Sequence, residues 1–331
     1  MLAARYRGKV ALTFEDLFTS PDHYLQAFED QHAAFVPMDR AAYHRSIFLD
    51  RRISPARTER MTLPIDALIP RTPAPQPVSW IFHMAHCGST LLARALDDPH
   101  GSLVLREPLA LRQSAIRQDR ALLEVALAMA AKRYRPDAPT LVKANVPVNF
   151  ILPDITAANA AARAILLFLP LRSYVLAILR NEDHRVWLRN VTAQLAPVLG
   201  DWSAYGDAQR AAALWLAQAT AFATTLATLP NARALDAEVF FNDPYPVLSA
   251  AARHLGVPIE PVALEQVVAG PLFSTYSKNP GVVFDNAARV ARESAVAAAI
   301  APELAEAEDW AARHPARSTL EAALAAAALT R

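Results

Sequence analysis

Short apolar runs alternate with helical spacings along the middle of this chain. The apolar runs predict strands at residues 78–83, 102–106, 140–143, 164–169 and 234–235 continued by 237–241. The segments between them predict helices at residues 90–96, 109–118, 120–134 and 211–229, and residues 287–329 are predicted to be mostly helical. Buried strands separated by helices are typical of a mainly parallel sheet covered on both faces. The predicted fold class is therefore α/β, with a three-layer α/β/α arrangement.

A proline-rich bridge, Pro70-Arg-Thr-Pro-Ala-Pro-Gln-Pro77, separates an N-terminal segment from this α/β pattern. Ser20 followed by Pro21 and Asp22 has the cap, the proline and the acid that begin many helices. Residues 1–70 are accordingly predicted to be a mostly helical extension, residues 78–285 the α/β domain, and residues 286–331 C-terminal helices packed on it. Whether the basic residues of the N-terminal segment face solvent or a ligand is left open: Arg51, Arg52, Arg57 and Arg60.

Composition restricts the environment and the partners of the protein. The chain has 331 residues, with 33 basic against 32 acidic side chains, so no whole-protein field attracts nucleic acid. Much of the 53% hydrophobic content is alanine, and no apolar run approaches the roughly 20 residues that span a bilayer. The N-terminus lacks a secretory h-region, and the one cysteine, Cys87, excludes an internal disulfide. A cytoplasmic protein without nucleic-acid or membrane partners is expected, with alanine-rich C-terminal helices forming core or a homodimer surface.

The segment 80–92 contains a strand, a tight turn at Gly88 and the start of a helix. Such a turn directs backbone N–H groups and the positive helix end at an anion, usually a phosphate, and the hydroxyls of Ser89 and Thr90 add donors. The P-loop of ATP- and GTP-binding proteins would need glycine at 83 and lysine at 89, where this chain has His83 and Ser89. The turn is predicted to be P-loop-like, and an ordinary strand-to-helix turn is the alternative.

Four segments resemble, in the expected order, the motifs of the sulfotransferase superfamily. Ala85-His-Cys-Gly-Ser-Thr-Leu-Leu-Ala-Arg94 resembles the 5′-phosphosulfate loop, (K/R)-S-G-(S/T)-T-(L/W)-L, and residues 139–147 resemble the strand ending in K-T-H-L-P. Residues 167–173 resemble the strand-loop whose arginine binds the donor's 3′-phosphate, and residues 235–256 resemble Y-E-D-L-x-x-D-P followed by F-L-G. The resemblance covers about residues 78–280.

This resemblance implies a donor, 3′-phosphoadenosine 5′-phosphosulfate (PAPS), and a product, adenosine 3′,5′-bisphosphate (PAP), without a metal. The acceptor, a small molecule or a peptide with a hydroxyl or amine, is not identified. Arg172 is the implied 3′-phosphate ligand; Arg180 stands where the family has a serine, and either Arg180 adds charge there or Ser173 contributes. Ser277 and Lys278 match a loop that closes over the nucleotide, with a surface loop as the alternative. The implied phosphosulfate ligands are His86, Cys87, Gly88, Ser89, Thr90 and Leu91.

Glu107 is the predicted base. It follows a strand, and Pro108 disfavours helix there, so it is expected to be extended at the carboxyl edge of the sheet. Two branches of the superfamily carry a similarly placed glutamate, whereas Asn145 stands where other members have histidine and cannot take the proton. Lys143 and His86, which replaces the family's lysine or arginine, are expected to neutralise developing charge. A surface pair of Glu107 with Arg106 or Arg112 is the alternative.

Two other functions remain open from the sequence. A nucleotide-dependent kinase would use the same turn, although the P-loop lysine is missing. If the chain is a non-catalytic nucleotide-binding or partner protein that has lost the chemistry, this would explain why His86 and Asn145 depart from the family's pattern. No H-E-x-x-H or paired spacing indicates a metal site, and Cys87 is expected to be a small residue in a tight turn rather than a nucleophile.

Overall fold

The computed structural model describes residues 12–276 and 279–330. The strands are β1 (His23–Glu29), β2 (His32–Pro37), β3 (Met61–Pro64), β4 (Val78–His83), β5 (Val104–Arg106), β6 (Thr140–Lys143), β7 (Arg163–Phe168), β8 (Ala232–Asp236), β9 (Thr275–Tyr276) and β10 (Asn279–Val283). The helices are α1 (Phe14–Thr19), α2 (Arg40–Arg45), α3 (Ile65–Leu68), α4 (Ser89–Ala95), α5 (Leu109–Arg117), α6 (Arg120–Ala130), α7 (Leu152–Ala158), α8 (Leu171–Leu179), α9 (Glu182–Gln194), α10 (Ala196–Leu199), α11 (Asp207–Thr228), α12 (Ala237–Asn242), α13 (Pro244–Leu255), α14 (Pro261–Ala269), α15 (Pro271–Ser274), α16 (Asn286–Ala299), α17 (Ala301–Ala312) and α18 (Arg317–Ala326). Two 3-10 helices are Ile69–Arg71 and Val146–Ile151.

The central sheet contains five parallel strands in the order β5-β6-β4-β7-β8. Every residue of β4 and β6 is buried, which explains why neither strand shows a regular alternation of apolar and polar side chains. The chain leaves β4 towards β5 and later crosses β4 from β6 to β7. The direction of winding therefore changes beside β4, where open α/β sheets have a crevice at the carboxyl ends of the strands. The predicted α/β class with a parallel sheet is confirmed.

Helices cover both faces of this sheet. On one face α4 packs on β4, β5 and β6 and contacts α14, and α13 packs on β7. On the other face α11 contacts α7, α8 and β8, and it buries Trp215 and Phe222. The Nε1 of Trp215 donates to the Leu169 carbonyl at 2.8 Å, so this large ring is anchored above the end of β7. None of the described helices has the length and apolar character needed to cross a bilayer.

The C-terminal helices complete the sheet edge at β8. Helices α17 and α18 pack on α11, and the backbone after α18 pairs with Ala234, whose N–H donates to the Ala327 carbonyl at 2.9 Å. The predicted strand at 237–241 is wrong, because these residues form α12. Asp236 caps that helix by accepting the N–H of Glu238 at 2.8 Å, and this cap outweighs the strand preference of the apolar side chains that follow.

The N-terminal segment differs from the sequence-based expectation. The helix predicted to begin at Ser20 is wrong: Ser20 ends α1, which begins with a capping box between Thr13 and Asp16. Strands β1, β2 and β3 follow as an antiparallel sheet, so the extension is not mostly helical. Pairing with β2 and burial of Leu25 and Phe28 outweigh the local helix-start signal. The boundaries placed at residues 70 and 286 stay predictions.

Arg106, the last residue of β5, fastens this segment to the central sheet. Its side chain is 1% exposed, and its Nη1 donates to Asp97 Oδ2 at 2.5 Å. Its Nη2 donates to the carbonyls of Tyr43 and Ser46, both at 2.6 Å. The N–H of Leu49 donates back to the Arg106 carbonyl at 2.8 Å. The segment 43–49 is therefore fixed beside the end of β5 by both the backbone and the side chain of one residue.

Asp97 should contribute strongly to stability and to its dependence on pH. Burial would raise the pKa of Asp97, but the hydrogen bond with His44 and the charges of Arg106 and Arg40 prevail and lower it to about 2. We expect Asp97→Asn to lower the free energy of unfolding by about 3–5 kcal/mol near pH 7, because it leaves buried guanidinium groups without a counter-charge. Urea denaturation measures this loss.

The effect of pH on this contribution has a defined sign. A carboxyl whose pKa is lowered in the folded chain stabilises fully above about pH 4, and the contribution is lost as the pH falls towards about 2. The difference between wild type and Asp97→Asn should narrow over that interval. Asp98→Asn is the matched control, since the Asp98 carboxylate caps the backbone N–H of His100 at 2.9 Å. An equal loss in both variants would contradict the role given to Asp97.

Candidate functional site

The turn between β4 and α4 has two residues with left-handed backbone. His86 has φ 62° and Gly88 has φ 79°. The N–H of Met84 donates to the Leu167 carbonyl at 3.0 Å, which fixes the start of the turn against β7. The thiol of Cys87 is fully buried and donates to the Met84 carbonyl at 2.9 Å, as expected for a small residue inside a tight turn. The helix begins at Ser89, so the N–H groups of its first turn have no acceptor within the helix.

Gly88 is required here by space as well as by conformation. A Cβ at this position would lie 2.7 Å from Cζ of Phe241, a residue of α12. The aromatic ring therefore packs directly on the glycine and occupies the space that a side chain at this position would need. Glycine is the residue that adopts a left-handed φ at no steric cost and leaves room for this ring.

A cleft opens in front of this turn. It is lined by the turn and the start of α4, by one side of α8, by β9, by Phe284 after β10 and by α16. The structure brings together there most of the predicted donor-site residues, namely His86, Cys87, Gly88, Ser89, Thr90, Leu91 and Arg180. The site predicted from the loop motif is thus a continuous concave surface.

Three arginines line the cleft, and their surroundings differ. Arg289 is neutralised by Glu238 at 2.6 Å and by Glu293 at 2.7 Å. Arg180 and Arg292 form no ion pair with any residue in the described ranges. Partial loss of water around the guanidinium lowers the pKa of Arg180, although the side chain reaches the surface, and the positive charge of Arg292 lowers it further. Two guanidinium groups lie near each other here, and no described carboxylate pairs with either of them. An anion bound between them would relieve their mutual repulsion.

Aromatic rings form another wall of the cleft. Phe284 lies 6.2 Å from Phe241 and 5.5 Å edge-on from Tyr276, measured between ring centroids. The guanidinium of Arg289 lies 4.5 Å from the centroid of the Phe241 ring, and Arg292 bonds to the hydroxyl of Tyr276. Such a wall offers the ring faces and edges on which a planar base packs.

Thr90 provides a direct test of whether the cleft fits a phosphate. Its Oγ1 is buried and has no hydrogen-bond partner among the residues that the structure describes. A buried hydroxyl without a partner is costly, and one phosphate oxygen at the first turn of α4 would accept a hydrogen bond from it. The residues of the turn therefore fit an anionic group.

Glu107 and Lys143 lie together at the carboxyl ends of the adjacent strands β5 and β6. The Nζ of Lys143 donates to Glu107 Oε1, and the lysine side chain is completely buried. The expectation that Glu107 is extended is wrong, because its φ is 57°. Its N–H donates to the Lys143 carbonyl at 2.7 Å, and this contact with β6 sets the left-handed turn. Arg106, one alternative partner, donates to Asp97 instead.

The N-terminal segment covers this ion pair. The Nζ of Lys143 lies 5.7 Å from the centroid of the Phe48 ring, and the guanidinium of Arg52 lies 3.8 Å from the same centroid. A hydrogen bond to Asp50 raises the pKa of Arg52, and the charge of Glu107 raises it as well. Of the basic N-terminal cluster, Arg52 therefore faces the site. His83 Nε2, at the end of β4, lies 3.9 Å from Glu107 Oε1.

Other predicted site residues lie elsewhere. Arg172, in the first turn of α8, contacts Glu308 at 2.9 Å and is not among the residues that line the cleft. Ser277 and Lys278 lie outside the described residues, whereas Tyr276 just before them lines the cleft. Glu107 and Lys143 are not part of the cleft lining either. Within the described ranges, no group of three or more His, Cys, Asp or Glu could hold a metal ion.

Sequence reasoning missed the contribution of α16 to the site. Arg289 and Arg292 are three residues apart and so lie on one face of that helix, close behind the aromatic Phe284. This spacing was the available signal, but the alanine-rich composition of α16 indicated only a packing helix. His184, at the start of α9, was also missed, because its proximity to the turn arises from the tertiary fold.

The packing of Phe241 on Gly88 predicts an unusual sensitivity to a single methyl group. Gly88→Ala should lower the free energy of unfolding by the cost of a left-handed alanine, about 1–2 kcal/mol, plus the cost of moving the Phe241 ring. Gly256→Ala is the matched control, since Gly256 has φ 68° and the close contact of its Cβ would be with the flexible end of Arg163. Urea denaturation compares the two losses. Equal losses would show that the ring contact adds nothing.

Comparison with known proteins gives distant structural similarities and no match in sequence. No protein-family model and no curated protein sequence matches the chain. A sulfotransferase domain from the curacin biosynthetic pathway is 17% identical and covers 59% of this chain and 79% of its own length, with a TM-score of 0.41. A sulfotransferase from Alicyclobacillus acidocaldarius is 14% identical and covers 74% and 99%, with a TM-score of 0.38. This chain is similar in structure to these two sulfotransferases.

Proposed function

We propose that this chain is a sulfotransferase, which moves a sulfuryl group from PAPS to a hydroxyl or amine of a small-molecule or peptide acceptor. The observation that carries the proposal is the cleft in front of the β4–α4 turn. It combines the buried hydroxyl of Thr90, two arginines without a carboxylate and an aromatic wall. These are the groups needed for a nucleotide with phosphates at both ends of its ribose.

The two anionic groups of the donor would bind to different parts of the cleft. The N–H groups of the turn and Thr90 would hold the 5′-phosphosulfate, with His86 beside them. Arg180 and Arg292 would hold the 3′-phosphate, and the rings of Phe241 and Phe284 would contact the adenine. When bound, the donor supplies the sulfuryl group, and PAP remains after transfer. The scheme needs no metal, because the arginines and the backbone N–H groups neutralise the charge.

Glu107 would remove the proton of the acceptor. In this step the acceptor O–H bond breaks and its proton passes to a Glu107 carboxylate oxygen, while the acceptor oxygen bonds to sulfur and the bond from sulfur to the bisphosphate breaks. Lys143 fixes the carboxylate through its ammonium group and adds positive charge at the strand ends. The backbone hydrogen bond from Glu107 to Lys143 keeps both groups in place.

Binding of PAP tests the donor site without knowledge of the acceptor. Isothermal titration of the full chain should show PAP binding that ATP with Mg²⁺ does not match. Arg180→Gln and Arg292→Gln should each weaken PAP binding about 10–100-fold, because each removes a charged hydrogen bond to phosphate.

Arg172→Gln completes this experiment. Arg172 is held by Glu308 outside the cleft, so we expect its loss to change PAP affinity little. Loss of PAP binding in Arg172→Gln, with unchanged binding in Arg180→Gln, would show that Arg172 binds the 3′-phosphate. A preference for ATP with Mg²⁺ would favour a kinase and contradict the proposal.

Glu107→Gln separates chemistry from binding. The variant should retain PAP affinity and lose about 10²–10⁴-fold in the rate of PAP release from PAPS in the presence of a panel of hydroxyl and amine acceptors. The amide keeps the size of the side chain and cannot accept the acceptor's proton. Full transfer activity in Glu107→Gln would exclude Glu107 as the base. Binding without turnover in the wild-type chain would favour a non-catalytic nucleotide-binding protein.

A further inference from the structure

His184 lies between the phosphate-binding turn and Arg180. Helix α8 ends at Leu179, and α9 begins after Asn181, whose side chain accepts the N–H of His184 at 3.0 Å. This cap fixes the backbone of His184 in the first turn of α9. Its ring turns back over the end of α8, where Nδ1 lies 2.7 Å from the Ala177 carbonyl.

The contacts of this ring define which nitrogen carries the proton. A carbonyl oxygen only accepts hydrogen bonds, so Nδ1 of His184 is the protonated nitrogen facing Ala177. In the neutral ring Nε2 is then an acceptor, and it lies 3.1 Å from Nη2 of Arg180, which always donates. The imidazole thus connects the end of α8 to the guanidinium that lines the cleft.

A ring stack fixes the orientation of His184. Its imidazole lies on that of His86, with a centroid distance of 3.8 Å and an interplanar angle of 20°. Trp187, one turn further along α9, contacts the His86 ring edge-on at 5.8 Å. His86 belongs to the turn with left-handed backbone. The stack therefore sets the position of Arg180 relative to the turn.

Arg180 needs such a support because it is long and exposed at the edge of the cleft. An unsupported arginine loses side-chain entropy when it binds a phosphate, and a side chain already held in position loses less. We infer that His184 is a positioning residue that holds Arg180 for the donor's 3′-phosphate and so sets the preference for a 3′-phosphorylated nucleotide. This inference rests on the proposed function of the cleft.

The test compares two nucleotides that differ only in the 3′-phosphate. Isothermal titration of the full chain with PAP and with adenosine 5′-monophosphate gives the preference for the 3′-phosphate as a ratio of affinities. His184→Leu should weaken PAP binding about three- to tenfold, the effect of mobilising one side chain, and leave the affinity for the monophosphate unchanged. His184→Gln should restore most of the preference, because an amide supplies one acceptor and one donor. His314→Leu, at an exposed histidine beyond α17, is the matched control.

Coupling to Arg180 separates positioning from a general structural effect. In Arg180→Gln, adding His184→Leu should cause little further loss of PAP affinity, because the supported group is already absent. An unchanged preference in His184→Leu, or equal losses of PAP affinity with and without Arg180, would overturn the inference alone. If the wild-type chain binds neither nucleotide, the proposed function fails and the inference with it.

Discussion

The buried guanidinium of Arg106 is the constraint on which the site depends. A guanidinium group removed from water must have its N–H groups hydrogen-bonded. Arg106 donates to Asp97 and to carbonyls of residues 43–46. The N-terminal segment therefore supplies carbonyl acceptors that the buried Arg106 of β5 requires. Because the next residue is Glu107, the same contacts fix the position of the Glu107 carboxylate at the end of β5. They also place Phe48 and Arg52 beside the Glu107–Lys143 pair.

The charges at the carboxyl edge of the sheet are arranged in two different ways. At the ends of β5 and β6, the buried Lys143 and the partly buried Glu107 neutralise each other, so their geometry is defined before any ligand arrives. In front of the β4–α4 turn, Arg180 and Arg292 keep a positive charge that no described carboxylate neutralises. The first arrangement suits a group that must be oriented, and the second suits a group that must attract an anion. The two lie side by side because β4, β5 and β6 are neighbours.

The parts of the fold that sequence predicted are those governed by local burial. The bounds of β4 and β6 were predicted correctly, because both strands are buried on each face and each begins directly after a proline. The β4–α4 turn was predicted through Gly88, whose left-handed conformation only glycine adopts readily and which stands in a recognisable motif. The N-terminal sheet was missed because its pairing is antiparallel and tertiary, while Ser20 and Asp22 indicated a helix. Arg289, Arg292 and His184 reach the site only through the packing of α16 and α9.

Backbone strain at the site links its chemistry to the stability of the whole fold. Among the described residues other than glycine, positive φ occurs at Asp30, His86, Glu107 and Gln118. Two of these are predicted catalytic residues, whereas Asp30 lies in the β1–β2 turn and Gln118 ends α5. Each such conformation costs of order 1–3 kcal/mol and persists only where surrounding contacts determine it. At Glu107 those contacts are the backbone bond to Lys143 and the anchored Arg106 before it. A change that loosens Arg106 should therefore release the strain at Glu107, and the carboxylate would lose its position before the sheet unfolds.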